Sequence, residues 1–320
     1  MTIVDWRELG AAEVAPLYAE QTRAWMDALG WDLSGSWAVV ERARVAGALP
    51  GMVSRRANGS MAGWTFFLRQ DEVLQIGALA GSGAGPVRGL LEAILDSPEA
   101  AAARELTCLL YPPRACALSA LRRRRFLLQP QRYVARSLAG WPGPSAAPQL
   151  SDPFVARLWT EDDAVGCVRL LARAYASRGA GRALAPHGTL TEWAQHLGQI
   201  VHTPACGTLM RRACFLVEER TTRAPAGFVL TTAIGPGTAH VAQLAVDPAW
   251  TRRGIGRSLV HLAARAAGSG GANRITLLMP DDNEAASRLS AAEGFEESGQ
   301  IVFASRSMPV KRQVQPRRAA

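Results

Sequence analysis

An ordered set of short matches between the two halves constrains the fold of this 320-residue chain more than any other feature. Small apolar motifs of the first half return in the second half at separations of 164 to 169 residues, and the separation never decreases along the chain. The matched motifs are Ala62-Gly63-Trp64 with Ala226-Gly227-Phe228, Leu79-Ala80 with Leu244-Ala245, Leu109–Pro112 with Leu277–Pro280, and Phe126 with Phe295. Ordered self-similarity of this kind indicates an internal duplication, so one fold is expected to occur twice.

A stretch rich in proline and glycine separates the two halves, Gly140-Trp-Pro-Gly-Pro-Ser-Ala-Ala-Pro148. This composition breaks both helices and strands. We therefore predict two lobes, at residues 1–139 and 153–308, with a linker at 140–152 and a basic, disordered tail at 309–320. Each lobe is long enough to bury a core of its own.

The apolar spacing of the second half predicts two helices, three strands, and then helix, strand, helix and strand. A capping box at Thr160–Asp163 marks the start of the first of these helices. The first half follows the same order as far as Tyr111. This order predicts an α/β fold (an α+β mixed sheet), in which each lobe is a mixed, mostly antiparallel sheet flanked by helices.

Composition is that of a globular protein with an excess of arginine. The formal net charge is +9, and Lys311 is the only lysine. A positive balance suits an anionic ligand or nucleic acid. The dense cluster Arg122–Arg125 lacks the interleaved aromatic side chains on which bases stack, so we predict a solvated helix end and do not expect nucleic-acid binding.

Cysteine usage and hydropathy indicate the compartment. The five cysteines are odd in number and no two have C-x-x-C spacing, which predicts reduced thiols, no metal site and a cytoplasmic protein. The first residues lack the basic and apolar regions of a signal peptide. No uncharged apolar stretch approaches about 18 residues, so no membrane partner is expected. The chain is expected to be a monomer or a homodimer.

Residues 240–259 carry the strongest chemical signal. An apolar strand ends at Val246, Asp247-Pro248 turns the chain, and a loop with Gly254 and Gly256 leads into an amphipathic helix. The free N–H groups and the dipole of a helix N-terminus bind phosphate, and glycines let the backbone approach a ligand. Three arginines flank the loop and add charged donors: Arg252, Arg253 and Arg257. The loop lacks the lysine of a Walker A motif and is too short for the dinucleotide pattern G-x-G-x-x-G.

Four motifs follow one another in this part of the chain: Leu-Ala-Val-Asp-Pro at 244–248, Arg-Arg-Gly-Ile-Gly-Arg at 252–257, Asn-Glu-Ala-Ala-Ser-Arg-Leu at 283–289, and Glu-Gly-Phe at 293–295. Together they resemble the GNAT superfamily of acyl-CoA-dependent N-acyltransferases. The resemblance covers most of residues 153–308, and the first half is similar to the fold more weakly. It implies a tandem GNAT arrangement with a degenerate N-terminal lobe.

The resemblance implies acetyl-CoA as co-substrate and names the residues that would hold it. Family members pair the pantetheine arm with the end of the central strand, and hold the pyrophosphate in the loop that follows. An asparagine after the next strand also contacts the coenzyme. In this chain these positions are Leu244, Ala245 and Val246 for the arm, Arg252, Arg253, Gly254, Ile255, Gly256 and Arg257 for the pyrophosphate, and Asn283.

The catalytic groups depart from the family pattern. Many members protonate the leaving thiolate with a tyrosine at a position where this chain has Ser290, whose hydroxyl is far less acidic than a phenol. Another group, water or different chemistry would then replace the tyrosine. His240 on the central strand titrates in a useful range and is the candidate base. Three histidines near the predicted acceptor-side helix and loop are expected on the surface: His187, His196 and His202.

The equivalent loop of the first half, Gly81–Arg88, is rich in glycine but has no arginine cluster. Pro86 also removes a backbone donor near the helix start. We therefore interpret the first lobe as structural or acceptor-shaping, and a second coenzyme site remains the alternative.

The sequence predicts an N-acetyltransferase in which a primary amine of a small molecule attacks the thioester directly. A strand N–H near Leu244 or Ala245 would stabilise the oxyanion. A small acceptor is favoured because a second lobe could close one end of the groove. Three alternatives remain: a protein amine as acceptor, an acyl-CoA-binding module without turnover, and nucleic-acid binding through the arginine excess.

Overall fold

The computed structural model describes residues 1–140, 150–176, 181, 184–203 and 206–308. The predicted tail lies outside these residues, and so does the predicted linker except at its two ends.

The helices and strands of the described residues have the following bounds. The α-helices are α1 (Ala11–Leu29), α2 (Ser34–Val45), α3 (Ala84–Leu95), α4 (Pro98–Ala101), α5 (Ala115–Arg123), α6 (Ala164–Tyr175), α7 (Leu190–His202), α8 (Ile255–Ser269) and α9 (Glu284–Ala292). The strands are β1 (Thr2–Asp5), β2 (Gly51–Arg55), β3 (Met61–Gln70), β4 (Val73–Gly81), β5 (Glu105–Leu110), β6 (Leu127–Ser137), β7 (Phe154–Leu158), β8 (Thr208–Leu209), β9 (Phe215–Glu219), β10 (Pro225–Gly235), β11 (Thr238–Val246), β12 (Arg274–Pro280) and β13 (Glu296–Ser307).

The chain divides into two compact units that draw on both of its halves. Unit 1 contains Met1–Glu13, Glu41–Gln129 and the chain from Val302 onward, and unit 2 contains Val14–Val40 and Pro130–Ile301. The expected boundaries, 1–139 and 153–308, therefore do not coincide with the compact units.

The expected boundaries and the compact units differ because the last strand of each half of the chain pairs with a strand of the other half. In unit 1 the sheet order is β1-β2-β3-β4-β5, and the strand next to β5 is the end of the chain, with Val302 opposite Leu110 and Ser307 opposite Glu105. In unit 2 the order is β6-β12-β11-β10-β9-β7, and the strand next to β12 comes from the first half of the chain. Each unit thus completes its sheet with a strand from the other half.

Both units repeat the same irregularities, as the duplication predicts. Each sheet is antiparallel except for one parallel pair, β4 with β5 in unit 1 and β11 with β12 in unit 2. The antiparallel ladder before that pair contains a bulge in each unit, at Gly77 and at Ala242. These two residues are 165 positions apart, within the range of separations that the sequence motifs show.

The glycines Gly63 and Gly227 also occupy equivalent places. A Cβ on Gly63 would lie 2.6 Å from the Ala80 carbonyl oxygen and 3.1 Å from Leu90 of α3. A Cβ on Gly227 would lie 2.8 Å from Ile255 of α8. In both units a helix packs against the sheet at a glycine, because no side chain fits between them.

Unit 2 buries a core on each face of its sheet. On one face α8 packs against the sheet, and on the other face α6 and α7 do so. The α8 side buries Ile255, Leu259, Val260 and Ala263, and the α6–α7 side buries Cys167, Leu171, Trp193 and Leu197. This division matters for the candidate site, because α8 packs on one face of the sheet and α6 and α7 pack on the other.

The predicted fold class is confirmed, including the mixed sheet and the capping box at Thr160. The cluster Arg122–Arg125 is an exposed end of α5, as predicted. Five of the described elements were not predicted: the strands β1, β6, β7 and β8 and the short helix α4. Within the described ranges, no helix combines the length and apolar character needed to cross a bilayer.

Candidate active site

The central feature of unit 2 is a pair of parallel strands that separate. In the part of the chain that the structure describes, β11 pairs with β12 from Thr238 opposite Arg274 to Val241 opposite Leu277. β11 then continues to Val246 and β12 to Pro280 without pairing to each other. We call residues Ala242–Val246 and Leu278–Pro280 the splayed ends.

The ladder with β10 decides which main-chain groups face the gap. The Asp247 N–H donates to the Ala226 carbonyl at 2.9 Å, and hydrogen-bonded and non-hydrogen-bonded positions alternate along an antiparallel pair. The register therefore directs the N–H and C=O groups of Ala245 towards β10. It directs those of Leu244 and Val246 towards the gap between the splayed ends. Of the three residues expected to hold a pantetheine arm, these two have main-chain groups directed at the gap, and the Leu244 carbonyl also accepts from Gln243 Nε2 at 3.2 Å.

The loop after β11 presents backbone donors at the start of α8. Arg252 and Gly254 both have positive φ, 62° and 78°. This conformation strains the arginine and favours glycine at the N-cap of α8, where Gly254 lies. Ser258 donates to the Gly254 carbonyl at 2.9 Å. No group among the described residues accepts from the N–H of Ile255 or Gly256, so both are free for an anion.

The strand end and the helix start are adjacent. An ideal Cβ on Gly256 would lie 3.6 Å from Val246 and 3.6 Å from Leu289 of α9. These are ordinary contacts, so the protein itself leaves room for alanine at this position. The glycine instead keeps the backbone accessible beside Val246.

The three arginines of the loop have different partners. Arg252 and Arg253 are exposed, and neither pairs with a carboxylate among the described residues. The Arg257 side chain binds Glu293, a carboxylate with 2% of its side chain exposed, and His261 binds the same group. The Arg257 guanidinium is therefore engaged within the protein, and what it offers a ligand is its main-chain N–H.

Asp247 fixes the turn that leads into the loop. Its Oδ1 accepts from the Ala249 N–H at 3.0 Å, and its Oδ2 binds Arg173 of α6 at 2.6 Å. Trp250 packs edge-on against Phe154 at 5.2 Å between ring centroids, so it is a packing residue here. The loop therefore starts from a rigid support.

Asn283 caps α9. Its side-chain oxygen accepts from the Ala286 N–H at 3.2 Å, so the amide nitrogen is the group left for a ligand.

Residues 190–295 match the family model described as "Acetyltransferase (GNAT) family". This segment contains the splayed ends, the loop and helices α7 to α9. Residues 190–295 form a GNAT domain. No curated protein sequence matches the chain.

Solved structures extend the likeness of the GNAT domain to the whole fold. A GCN5-related N-acetyltransferase from Sphaerobacter thermophilus superposes with a TM-score of 0.67 at 17% identity, over 95% of each chain. The glucosamine N-acetyltransferase region of a fungal multi-domain GH3 β-N-acetylglucosaminidase gives 0.65 at 13% identity, over 95% of this chain and 38% of that one. A tandem GNAT protein from the clavulanic acid biosynthesis pathway gives 0.56 at 15% identity, over 82% and 84%.

His240 of the GNAT domain lies at the closed end of the strand pair. It is opposite Thr276 in the paired section, about 13 Å along β11 from Leu244 at the usual rise per residue. Its Nδ1 contacts the Thr276 hydroxyl at 2.9 Å, and its ring packs between Trp31 and Tyr133. Burial lowers the pKa of His240 to about 3. The role as base stays a prediction that these surroundings do not favour.

Ser290 lies on α9 and is buried. Its hydroxyl donates to the Ser287 carbonyl at 3.1 Å and contacts the Met279 sulfur at 3.8 Å. The predicted role as acid is also not favoured, because the proton is already used within the helix.

His187 and His202 are exposed, as predicted. His196 on α7 is only half-buried, and its Nε2 lies 2.8 Å from Gln243 Oε1. Gln243 is the β11 residue next to Leu244, within the splayed ends. The sequence marks Gln243 as a polar residue in an apolar strand. It does not identify His196 as the partner of Gln243, because the two residues are 47 positions apart.

Across the described residues, no cluster of three or more histidine, cysteine, aspartate or glutamate side chains has the arrangement of a metal site.

Proposed function

We propose that the chain is an acyl-CoA-dependent N-acyltransferase that transfers acetyl from acetyl-CoA to a primary amine of a small molecule. The match to the GNAT family supports acyl-CoA-dependent transfer in general. The choice of donor and of acceptor is ours.

One observation carries the proposal. The main-chain groups of Leu244 and Val246 that face the gap adjoin the free N–H groups at the start of α8, with Gly256 beside Val246. The main-chain groups of Leu244 and Val246 can pair with an amide-containing arm as a neighbouring strand would. The N–H groups at the start of α8 can bind a diphosphate. Acyl-CoA joins the two parts, and its thioester lies at the end of the arm that is far from the diphosphate.

The residues then supply the following chemistry. The backbone donors of Ile255 and Gly256, together with Arg252 and Arg253, bind the pyrophosphate. The Leu244 N–H faces the gap and can donate to the thioester oxygen, where negative charge develops as the amine attacks the carbonyl carbon. The carbon–nitrogen bond forms, the carbon–sulfur bond breaks and the thiolate leaves.

Binding of acetyl-CoA can be tested at Gly256. Gly256→Asp places a carboxylate at the pyrophosphate position, and we expect loss of binding by isothermal titration calorimetry. Gly256→Ala adds a Cβ that makes only ordinary contacts at 3.6 Å within the protein, so it separates the effect of the carboxylate from that of the added carbon atom. If Gly256→Asp binds acetyl-CoA as tightly as the unchanged protein, the coenzyme is held elsewhere.

Turnover can be tested by release of free CoA thiol in the presence of a panel of primary amines, including amino sugars, polyamines and a lysine peptide. Release with a small amine supports the proposal. Release only with the peptide favours a protein acceptor.

A second candidate function is an acyl-CoA-binding module without turnover. Ser290, in the position of the family's tyrosine and bonded within its own helix, is the observation that favours it. Tight acetyl-CoA binding without CoA release for any amine would establish this second function.

The proposal includes a cytoplasmic monomer or homodimer. All five cysteines are unpaired thiols, which suits a reducing compartment.

A further inference from the structure

A hydrogen-bonded network links α7 to the splayed end of β11. His196 Nε2 lies 2.8 Å from Gln243 Oε1. Gln243 Nε2 lies 3.2 Å from the Leu244 carbonyl oxygen and 3.2 Å from the Tyr175 hydroxyl. Tyr175 and Trp193 stack at 5.0 Å, and Trp193 meets the His196 ring edge-on at 6.0 Å. The imidazole is therefore held by packing as well as by Gln243.

The network fixes the tautomer of His196. A carbonyl oxygen only accepts hydrogen bonds, so the Gln243 group facing the Leu244 carbonyl must be its NH₂. The Gln243 oxygen then faces His196, and Nε2 must carry the hydrogen. The lone pair of the neutral ring is consequently on Nδ1, which can accept a proton without breaking the bond to Gln243.

His196 also lies on the face of the sheet that an acceptor would use. The loop that would hold the pyrophosphate begins α8, and α8 packs on one face of the unit 2 sheet. An amine that attacks a thioester between the splayed ends can approach from the side of the opposite face. Helices α6 and α7 pack on that face and carry Tyr175 and His196.

We propose that His196 is the proton acceptor for the attacking amine and that Gln243 is its positioning residue. This inference rests on the proposed function. As the carbon–nitrogen bond forms, Nδ1 takes a proton from the amine nitrogen. The carbon–sulfur bond breaks, and the imidazolium returns the proton to the thiolate, so the products are the amide and CoA thiol with no further reactant.

The surroundings suit a base that is neutral before the reaction. Burial lowers the pKa of His196, and the bond to Gln243 acts weakly in the opposite direction. Within the described residues, the groups in contact with His196 and Gln243 are Tyr175 from α6 and Trp193 from α7, and neither is charged at neutral pH.

The first test is independent of any acceptor. Long-range ¹⁵N–¹H NMR of ¹⁵N-histidine-labelled protein at pH 8 should show His196 with hydrogen on Nε2 and a bare Nδ1. Gln243→Leu should convert this signal to mixed tautomers. A hydrogen fixed on Nδ1 in the unchanged protein would overturn the inference.

The second test measures kcat/KM against pH for CoA release, with acetyl-CoA and the most active amine of the panel. His196→Gln should lower kcat by about 10²- to 10⁴-fold and remove the acidic limb of the profile. Gln243→Leu should lower kcat less and shift that limb. Acetyl-CoA affinity should stay unchanged in His196→Gln, which reports correct folding of that variant.

The control is His202→Gln, an exposed histidine in the last turn of the same helix, which should behave as the unchanged protein. If the unchanged protein turns over and His196→Gln retains its rate and pH profile, His196 is not the base although the proposed function stands. If no amine is acetylated by the unchanged protein, both proposals fail.

Discussion

His196 and His240 show how surroundings decide the chemistry of a residue. Both side chains belong to unit 2, and burial lowers the pKa of each. His240 is held between Trp31 and Tyr133 where the strands are closed. His196 bonds to a glutamine where the strands have separated. The second location gives the ring a partner that orients its lone pair and a gap in which a substrate can bind.

His240 should make the protein less stable in acid. Its pKa of about 3 in the fold is below the value of about 6.5 expected in the unfolded chain, so the unfolded chain takes up the proton first as the pH falls. Stability is complete above pH ~6.5 and is lost towards pH 3. The expected loss from this residue at pH 5 is about 2 kcal/mol.

Urea unfolding of the unchanged protein and of His240→Phe at pH 7 and pH 5 measures this effect. The difference in unfolding free energy between the two proteins should shrink by about 2 kcal/mol at the lower pH. The phenyl ring keeps the aromatic packing but does not titrate. An unchanged difference would show that His240 is not the group responsible.

At the scale of elements, the site depends on a strand that ends its pairing early and a helix that begins beside it. The bulges at Gly77 and Ala242 occur in the strands that later separate. Helices α3 and α8 approach these sheets closely at Gly63 and Gly227. The duplicated elements thus keep the same geometry, although the second copy alone carries the arginines of the loop.

Gly63→Ala and Gly227→Ala should therefore destabilise the protein to a similar extent. The new Cβ would lie within 3.0 Å of backbone or helix atoms in both cases, and overpacking of this kind costs about 1 to 3 kcal/mol. Thermal unfolding followed by circular dichroism measures the effect.

The matched control is Gly198→Ala in α7, where no atom lies within 4 Å of the new Cβ. We expect it to unfold at the same temperature or slightly higher, because alanine is the better helix former. A melting temperature for Gly63→Ala equal to that of this control would show that the two units are not packed alike.

At the scale of the whole molecule, neither unit is a continuous segment of the chain. Unit 1 needs the chain from Val302 onward beside β5, and unit 2 needs β6 beside β12 and residues Val14–Val40. A strand that loses its neighbour exposes unpaired N–H and C=O groups.

The two halves should therefore fold together and not separately. We expect the fragments 1–149 and 150–320, expressed alone, to lack cooperative unfolding transitions and to aggregate through their exposed strands. Expressed together, they should purify as a complex with the secondary structure of the intact chain. A fragment 150–320 that unfolds cooperatively as a monomer would contradict the strand exchange.

Much of the fold could be predicted because its signals are local. The helices and strands follow from apolar spacing, and the coenzyme loop is a continuous strand, turn, glycine loop and helix within residues 240–259. The positive φ at Gly254 and the free donors of α8 agree with that local pattern. The internal matches likewise predicted one fold used twice.

The tertiary structure alone decided which strand completes each sheet, and which histidine meets the splayed ends. Pairing of β13 with β5 joins residues nearly 200 positions apart, and no local pattern specifies a partner at that distance. The bond between His196 and Gln243 spans 47 positions, and the burial of His240 depends on Trp31 from the first half of the chain. Local spacing determines elements and loops, whereas burial and hydrogen-bond partners depend on contacts that form only when distant segments pack together.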